Sequence, residues 1–490
     1  LGHVMCMRMR DLIFAGAALC ALVQPAYAKT ILVLPGDGAQ ERLQEALIAA
    51  EPGDIVELGA GRFALTDGLS LDVDGVTLKG QGGVETTLDF SGQQGAGEGL
   101  LVTSDNVVLR EFGVENSKGD GIKSKGADRI IYYKLRVEWT GGPKTTNGAY
   151  GIYPVLTKNV LIEDTVSIGA SDAGIYVGQS DGVIVRRSRA EQNVAGIEIE
   201  NTLNADVYDN VATGNTGGIL VFNMPGLSQQ GGNIRVYDNK VIANNHENFG
   251  AKGTPVASVP AGSGIVINSN DDIEIFGNEI RDNATANIIV SSVYSTGYKD
   301  SSASPNFDPY PERIYIHGNT LSGGGDSPDG FDLKALKVAT YGLRGRFPDV
   351  LWDGYFNQER VVDGRKVGPQ TGQFTAQKAL GLQRRQEPGQ AALCQPLMRA
   401  TAHMHPVTAQ GDGRDHQRIA LGRQHQVYLS RHADAQGTFR IAHLEQAVVV
   451  DRVRRRTGAV VRDRRRRRLH RAQRGVDLAV GIAQNGEIHP

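Results

Sequence analysis

Short apolar strands led by glycine recur along this chain at a nearly constant period. The unit Gly-Ile-x-Val, with its two apolar residues two positions apart, occupies residues 174–177, and Gly-Ile-x-Ile follows 22 residues later at 196–199. Related units begin at five further glycines: Gly99, Gly121, Gly151, Gly218 and Gly264. One more unit, without a glycine, begins at Asn287. Successive units start 22 or 23 residues apart, except for one gap of 30 and one of 46. Such a period predicts a solenoid in which each repeat forms one coil.

A second apolar strand follows the first in each repeat, as in the segments NVLIED, GVIVRR and DIEIFGN. Short strands that alternate apolar and polar positions, with Gly at the corners, predict parallel strands stacked coil upon coil. A leucine-rich repeat is disfavoured because its Leu-x-x-Leu-x-Leu frame and its helical segment are missing. Several Asn residues fall in register at the strand ends and are expected to bond one another from coil to coil. They are Asn210, Asn239, Asn278 and Asn319 after the second strand, and Asn193 and Asn215 before the first.

A different pattern precedes the regular repeats, in residues 29–72. Leu43, Ala46, Leu47 and Ala50 recur at helical spacing, which predicts a short amphipathic helix. A helix here would cap the end of the solenoid, where apolar core and unpaired strand edge are otherwise exposed. We therefore expect an N-terminal cap with the first strands in residues 29–72, the solenoid in 73–321, and a C-terminal cap or extension in 322–378.

Both ends of the chain differ in composition from the repeats. Residues 1–28 combine Arg8 and Arg10 with an apolar run too short to span a bilayer and a small-x-small ending at Ala28. These features predict a cleaved secretory signal and a periplasmic or secreted protein. Residues 381–490 contain 20 Arg, 8 of the 11 His, 9 acidic residues and no Lys. We expect this Arg-rich tail, from residue 379 onward, to be disordered or a frame-shifted translation, although a basic nucleic-acid arm also fits its charge.

The opening segment, the Gly-Ile coils and the Asn corners together resemble the right-handed parallel β-helix proteins of the pectin-lyase-like superfamily, over roughly residues 29–320. The exported parallel β-helix repeat proteins are the most similar group. The resemblance implies an all-β, right-handed parallel β-helix solenoid with an N-terminal helical cap and about 8–10 coils of 22–23 residues. It also implies a polysaccharide as the partner, because the superfamily includes pectate and alginate lyases, polygalacturonases and mannuronan C5-epimerases. We expect a monomer with no nucleic-acid partner and no membrane span.

Strand alternation predicts where chemistry would lie on such a solenoid. If Ile175 and Val177 point inward, every second side chain of the Gly-Ile strands points outward. Two outward rows result, one of Lys123, Tyr153, Tyr176, Glu198 and Leu220, and beside it one of Lys125, Val155, Gly178, Glu200 and Phe222. At a rise of ~4.8 Å per coil, the distance from Lys123 to Glu198 is roughly 14 Å, enough for several units of a chain-like ligand. The long insertions next to these coils are expected to wall a groove.

The side chains in these rows predict an acidic glycan as ligand and β-elimination as the leading reaction. A lyase or epimerase needs a base such as Lys or Tyr and a group that stabilises the uronate carboxylate. A calcium ion held by Asp172 or Glu198 could supply that stabilisation. The catalytic candidates are Lys123, Tyr176, Glu198 and Glu200. The substrate-binding candidates are Tyr153, Asp172, Lys125, Asn201, Asn223 and Trp139, the last leaning over the rows from an inserted loop.

Other functions remain open. A glycosidase needs two carboxyl groups, and Glu198 and Glu200 have Cα atoms about 7 Å apart on one strand face. The Gly-His-Gly and Arg-Ile-Lys motifs of polygalacturonases and the Asp-Pro-His-Asp motif of mannuronan epimerases are absent from the sequence. A non-catalytic carbohydrate-binding or cell-envelope solenoid is the alternative to an enzyme. In the simplest interpretation, the outward rows are only a solvated face.

Overall fold

A computed structural model describes residues 28–95, 97–296 and 307–357 of the chain, and short strands at 361–362, 365–366, 415–421, 425–433, 439–441 and 449–450. The predicted signal, apart from residue 28, lies outside the described residues, and so does most of the Arg-rich tail. Secretion and the nature of the tail therefore stay predictions. The tail strands Asp415–Leu421, His425–Ala433 and Phe439–Ile441 pair antiparallel, as do Val361–Val362 and Arg365–Lys366.

Each repeat folds into one coil with three strands, and equivalent strands of successive coils pair in parallel to form three sheets. Sheet 1 contains the Gly-Ile strands. Its members are Leu69–Leu71, Leu100–Val102, Ile122–Lys125, Tyr150–Val155, Ala173–Gly178, Ala195–Glu200, Gly217–Phe222, Ser263–Asn268, Ala286–Ser291 and Val350–Trp352. These ten strands confirm the predicted right-handed parallel β-helix and its number of coils.

Sheets 2 and 3 complete the coil. Sheet 2 consists of Thr30–Val33, Ile55–Leu58, Thr77–Lys79, Val108–Arg110, Asp128–Tyr133, Lys158–Glu163, Asp181–Arg186, Leu203–Tyr208, Gly232–Tyr237, Asp271–Phe276, Ile314–His317 and Val449–Val450. Sheet 3 consists of Gly61–Ala64, Thr86–Asp89, Gly113–Glu115, Arg136–Glu138, Val166–Ile168, Arg189–Glu191, Val211–Thr213, Lys240–Ile242, Glu279–Arg281 and Thr320–Ser322. The second strand predicted for each repeat is thus the sheet 2 strand.

The core is built from columns of branched apolar side chains inside the coil. In sheet 1 one column aligns residue by residue through seven coils and is fully buried: Ile122, Ile152, Ile175, Ile197, Ile219, Ile265 and Ile288. Burial of each such side chain contributes about 1.5–3 kcal/mol. Because the repeat length keeps these residues in register, the stacking predicted for Ile175, Ile197 and Ile219 is confirmed.

Two ladders of buried Asn side chains close the corners between sheets. After sheet 2, Asn210 donates to Asn239, Asn239 to Asn278 and Asn278 to Asn319, with N···O distances of 2.8–3.0 Å. Before sheet 1, Asn193, Asn215, Asn244 and Asn283 form an equivalent chain. Each acceptor oxygen also receives a backbone N–H of the preceding coil, so the corner backbone is satisfied without water. Both predicted ladders are confirmed.

Two helices lie near the ends of the solenoid. Helix Ala39–Ala49 packs on the first coil through Ala39, Leu43, Ala46 and Leu47, as the helical spacing predicted. Helix Phe331–Tyr341 lies in the C-terminal segment, where strand Val350–Trp352 adds to sheet 1. Two short 3₁₀ helices occupy Pro255–Ser258 and Val293–Ser295. In the part of the chain that the structure describes, no helix has the length and apolar character needed to cross a membrane.

Candidate functional site

The outward rows of sheet 1 lie in the register that alternation predicted. Lys123 pairs with Tyr153, Tyr176 with Glu198, and Glu198 with Leu220. In the neighbouring row, Gly178 pairs with Glu200 and Glu200 with Phe222. The inward neighbours Ile175 and Ile197 belong to the main core, whereas Tyr176 packs in a separate apolar cluster on the outer face.

The interpretation of these rows as a solvated face is wrong for six of their ten members, which are buried: Tyr176, Glu198, Leu220, Val155, Gly178 and Phe222. Tyr176 is only 5% exposed and Glu198 only 3%. An apolar cluster of residues from the strands and from the long insertion lies on this outer face. Its buried members are Ala173, Tyr176, Val194, Ala195, Leu220, Phe222, Met224, Val256, Val259 and Val266. The insertion therefore folds back onto sheet 1 and shields part of the site from water, as well as bordering it.

Three tyrosines and three carboxyl groups meet where this cluster ends. The rings of Tyr150, Tyr153 and Tyr176 contact one another, with centroids 4.4–4.9 Å apart. The Tyr176 hydroxyl donates to Glu200 Oε1 at 2.9 Å, which connects two successive coils. Glu198 Oε2 is buried without a hydrogen-bond partner. Asp172 and Glu200, unlike Glu198, stay partly exposed.

Burial raises the pKa of all three carboxyl groups. Desolvation raises the pKa of Asp172 to about 8, with a further contribution from the negative charge of Glu200, while a hydrogen bond with Tyr150 opposes the shift. Desolvation also raises the pKa of Glu200 to about 7, against the hydrogen bond from Tyr176. The pKa of Glu198 is raised well above its usual value by burial and by the charges of Asp172 and Glu200. At neutral pH the cluster therefore retains protons that exposed carboxyl groups would lose.

Lys123 lies at the other end of the tyrosine group, and its ammonium group is already paired with two carboxyl groups. Its Nζ atom lies 2.8 Å from Glu98 Oε1 and 3.3 Å from Asp120 Oδ2, and 4.7 Å from the centre of the Tyr153 ring. Lys125 is exposed and reaches solvent. The structure thus brings together Lys123, Tyr153, Tyr176, Asp172, Glu198 and Glu200 of the predicted set.

Three predicted substrate-binding residues do not line this site. Trp139 is 4% exposed and packs in the main core, where its Nε1 donates to the Ser117 carbonyl at 2.7 Å. Trp139 directly follows strand Arg136–Glu138, in which Val137 is buried, so the same alternation sends the indole inward and not over the groove.

Asn201 and Asn223 were also predicted to bind substrate, but in the structure both side chains have structural roles. Both side chains are buried, and both hold the loop that follows strand Gly217–Phe222. Asn201 donates to the carbonyls of Met224 and Gln229 and accepts from the Met224 N–H at 2.8 Å. Asn223 accepts from the Gly231 N–H at 2.7 Å. Since these bonds occupy the amide groups, neither side chain is available to a sugar.

Tyr150, Glu98 and Asp120 also belong to the site, although the sequence pattern did not predict them. Tyr150 begins strand Tyr150–Val155, and alternation counted back from buried Ile152 would direct it inward, yet its ring packs on Tyr153 and Tyr176. Glu98 and Asp120 precede strands of sheet 1, where no periodic pattern applies. A Tyr directly before a Gly-Ile unit was the one available signal.

The carboxyl groups of the site do not match a calcium centre. Ligands of one Ca²⁺ lie 2.3–2.6 Å from the ion and hence within about 5 Å of one another. Among the described residues, Asp271, Asp308 and Glu312 are the carboxyl groups that come together within 4.8 Å, and Asp172, Glu198 and Glu200 do not. That other group lies on sheet 2, where the Arg313 guanidinium contacts Asp271 at 3.1 Å and Glu312 at 3.3 Å.

A family model agrees with the observed architecture over part of the chain. Residues 74–226 and 144–303 match the family model described as right handed beta helix region. No curated protein sequence matches the chain. The structure is similar to the A-module of a mannuronan C-5 epimerase from Azotobacter vinelandii, with 19% sequence identity and a TM-score of 0.43 over 61% of this chain and 89% of that one. It is also similar to an alginate lyase from Paenibacillus sp., with 16% identity and a TM-score of 0.30 over 61% of this chain and 98% of that one.

Proposed function

The chain is a right-handed parallel β-helix protein, as its resemblance to the pectin-lyase-like superfamily implied, and we propose that it cleaves a glycan on the outer face of sheet 1. The observation that carries this proposal is the pair of partly exposed carboxyl groups Asp172 and Glu200, which lie beside Tyr150 and Tyr176 and whose pKa values burial raises to about 8 and about 7. General acids and bases are most effective when their pKa lies near the working pH. Two carboxyl groups are what glycosidic hydrolysis requires.

The two carboxyl groups divide the proton-transfer roles. The Tyr176 hydroxyl donates to Glu200 and favours its ionised form, so Glu200 acts as the base that accepts a proton from the attacking water. Burial and the negative charge of Glu200 raise the pKa of Asp172, so Asp172 acts as the acid that protonates the leaving glycosidic oxygen. Because the Tyr176 hydroxyl donates to Glu200 Oε1, it positions the Glu200 carboxyl group. Glu198 lies buried behind this pair.

β-Elimination, the leading expectation from the sequence, has less support from the geometry. Its base would be Lys123 or a tyrosine. The Lys123 ammonium is paired with Glu98 and Asp120, and these contacts raise its pKa although burial opposes them. Burial raises the pKa of the Tyr153 hydroxyl above its usual value as well. Neither group is therefore an effective base at neutral pH.

A product assay tests the proposal. The full chain is incubated with neutral, acidic and amino-sugar polysaccharides, and both new reducing ends and unsaturated-uronate absorbance are recorded. We expect reducing ends without unsaturated products. Glu200→Gln and Asp172→Asn should each lower the rate by about 10²-fold or more, since this is the usual contribution of a general acid or base. Glu45→Gln, an exposed change on the cap helix, should leave the rate unchanged.

The outcomes separate the alternatives. Unsaturated products would restore the lyase interpretation. Binding to a polysaccharide with no new reducing ends would identify a non-catalytic binding solenoid. In the expected case, kcat/KM should follow a bell-shaped pH profile with its maximum between about pH 7 and pH 8, because one carboxyl group must be ionised and the other protonated.

A further inference from the structure

Carboxyl groups outnumber amino groups around the proposed site. The nearby cations are Lys123 and the exposed Lys125. Five carboxyl groups surround the tyrosines: those of Glu98, Asp120, Asp172, Glu198 and Glu200. Lys123 already neutralises part of the charge of Glu98 and Asp120. No described salt bridge involves Asp172, Glu198 or Glu200. A polyuronate carboxylate entering here would oppose the ionisation of Glu200, whose pKa lies at about 7, and would find Lys123 already paired.

Glu198 indicates which kind of group the site lacks. Its carboxyl group is almost fully buried, and Oε2 has no hydrogen-bond donor. A buried carboxyl oxygen without a donor costs about 1–3 kcal/mol relative to a bonded one. In the same outward row, the next coil carries Leu220, so the fold itself accepts an apolar residue at this point. A carboxyl group kept at such a cost points to a ligand that offers positive charge or hydrogen-bond donors.

The aromatic rings beside it suit the same ligand. Tyrosine faces attract cations, and Lys123 Nζ already lies 4.7 Å from the centre of the Tyr153 ring. From these contacts we propose, resting on the proposed function, that the subsite formed by Asp172, Glu198 and Glu200 binds the protonated amino group of an amino sugar, so that the glycan is cationic. The amino group would donate to the partly exposed oxygens of Asp172 and Glu200, and the Glu198 carboxyl group lies buried behind them.

Proton release gives this proposal a signature besides affinity. The groups that face the subsite are Asp172, Glu198, Glu200 and the hydroxyls of Tyr150 and Tyr176, with Asp120 further away. Burial holds protons on the carboxyl groups in the free protein, with the pKa of Asp172 at about 8 and that of Glu200 at about 7. An ammonium group favours their ionised forms and lowers these pKa values, so binding at pH 7 should release protons to the buffer.

Titration calorimetry with matched oligosaccharides tests the inference. The probes are a glucosamine hexamer, its fully N-acetylated counterpart and a galacturonate hexamer, and each is measured in two buffers of different ionisation enthalpy. We expect the glucosamine hexamer to bind at least about tenfold more tightly than the N-acetylated one, which is what a single charge-assisted hydrogen bond provides. Binding should release protons and weaken with added salt. Glu198→Gln should reduce the difference between the two hexamers, whereas Glu45→Gln should preserve it.

Each alternative result has a defined meaning. Equal affinity for the two glucosamine-based hexamers, or tighter binding of the galacturonate hexamer, overturns the inference; reducing ends from either of those substrates would still leave the proposed hydrolysis in place. Calcium binding that Glu198→Gln abolishes would show a cation centre instead and also overturns it. If Glu198→Gln lowers the melting temperature strongly, Asp172→Asn takes its place, and unchanged selectivity in that variant overturns the inference as well.

Discussion

Gly178 has no side chain, and the Tyr176 ring occupies the space where one would lie. The Tyr176 ring leans across Gly178, and its hydroxyl thereby reaches Glu200 on the next coil at 2.9 Å. A Cβ atom on residue 178 would lie 2.5 Å from Tyr176 Cε1 and 2.6 Å from the hydroxyl oxygen. The ring cannot simply swing away, because the rings of Tyr150 and Tyr153 lie 4.5 and 4.9 Å from it. We therefore predict that Gly178→Ala displaces Tyr176 from Glu200.

The magnitude of this effect follows from two contributions. Overpacking of a filled site costs about 1–3 kcal/mol, and loss of the hydrogen bond from Tyr176 to Glu200 adds about 1 kcal/mol. The φ angle of Gly178 lies outside the left-handed region, so alanine adds no backbone strain there. We expect the free energy of unfolding to fall by about 2–4 kcal/mol, together with a loss of activity, since Glu200 loses the donor that positions it.

Urea denaturation in a double-mutant cycle measures the steric part. Gly178→Ala, Tyr176→Ala and the double variant are compared with the parent chain, and Gly92→Ala is the control because its new Cβ would meet no atom closer than 3.4 Å. In the Tyr176→Ala background the cost of Gly178→Ala should largely disappear, which gives a coupling of about 2 kcal/mol. An equal cost in both backgrounds would refute the assignment of this space to the Tyr176 ring.

Three further predictions concern the scaffold and its pH dependence. Asn239→Ala should lower the free energy of unfolding by about 3 kcal/mol, because it strips partners from buried groups on the two neighbouring coils, whereas the exposed Asn245→Ala should cost much less in the same urea assay. The folded pKa values of Asp172 and Glu200, about 8 and about 7, exceed their ordinary values of 3.8 and 4.5. Stability should therefore fall as pH rises from about 4 to about 8 and level off above, and melting curves with a steady rise across that range would contradict this. A chain ended at Lys378 should keep its melting temperature, since the part of the tail that the structure describes pairs with the solenoid through Val449–Val450 alone; a loss of many degrees would show that the tail stabilises the fold.

The fold was predictable because its determinants are periodic. A constant repeat length places Ile175, Ile197 and Ile219 at the same point of successive coils, so one period and one alternation fix the whole column. The Asn ladders are predictable for the same reason, since Asn210 and Asn239 occupy equivalent corners. Each of these features is local in sequence and is repeated by the coil.

The covering of the site was not predictable in this way. Alternation correctly directed Tyr176 and Glu198 outward, but it contains no information on what covers the outer face. That is decided by Val256 and Val259, which lie in the 46-residue repeat, where the period fails. Trp139 shows the converse error, because its place in a long insertion suggested a groove residue although the preceding strand already directed it inward.

Glu198 allows stability and function to be separated by one substitution. Leu220 occupies the next position of the same outward row and is fully buried, so an apolar side chain of similar size fits this environment. Replacing Glu198 by an apolar side chain removes a buried oxygen that has no hydrogen-bond donor and that costs the folded protein about 1–3 kcal/mol. We therefore predict that Glu198→Leu raises the free energy of unfolding in urea, most clearly at pH 8, where the site carries the most charge. The same variant should lose its preference for the glucosamine hexamer. A destabilised Glu198→Leu protein would mean that the carboxyl group is satisfied in the free protein and that its burial carries no information about the ligand.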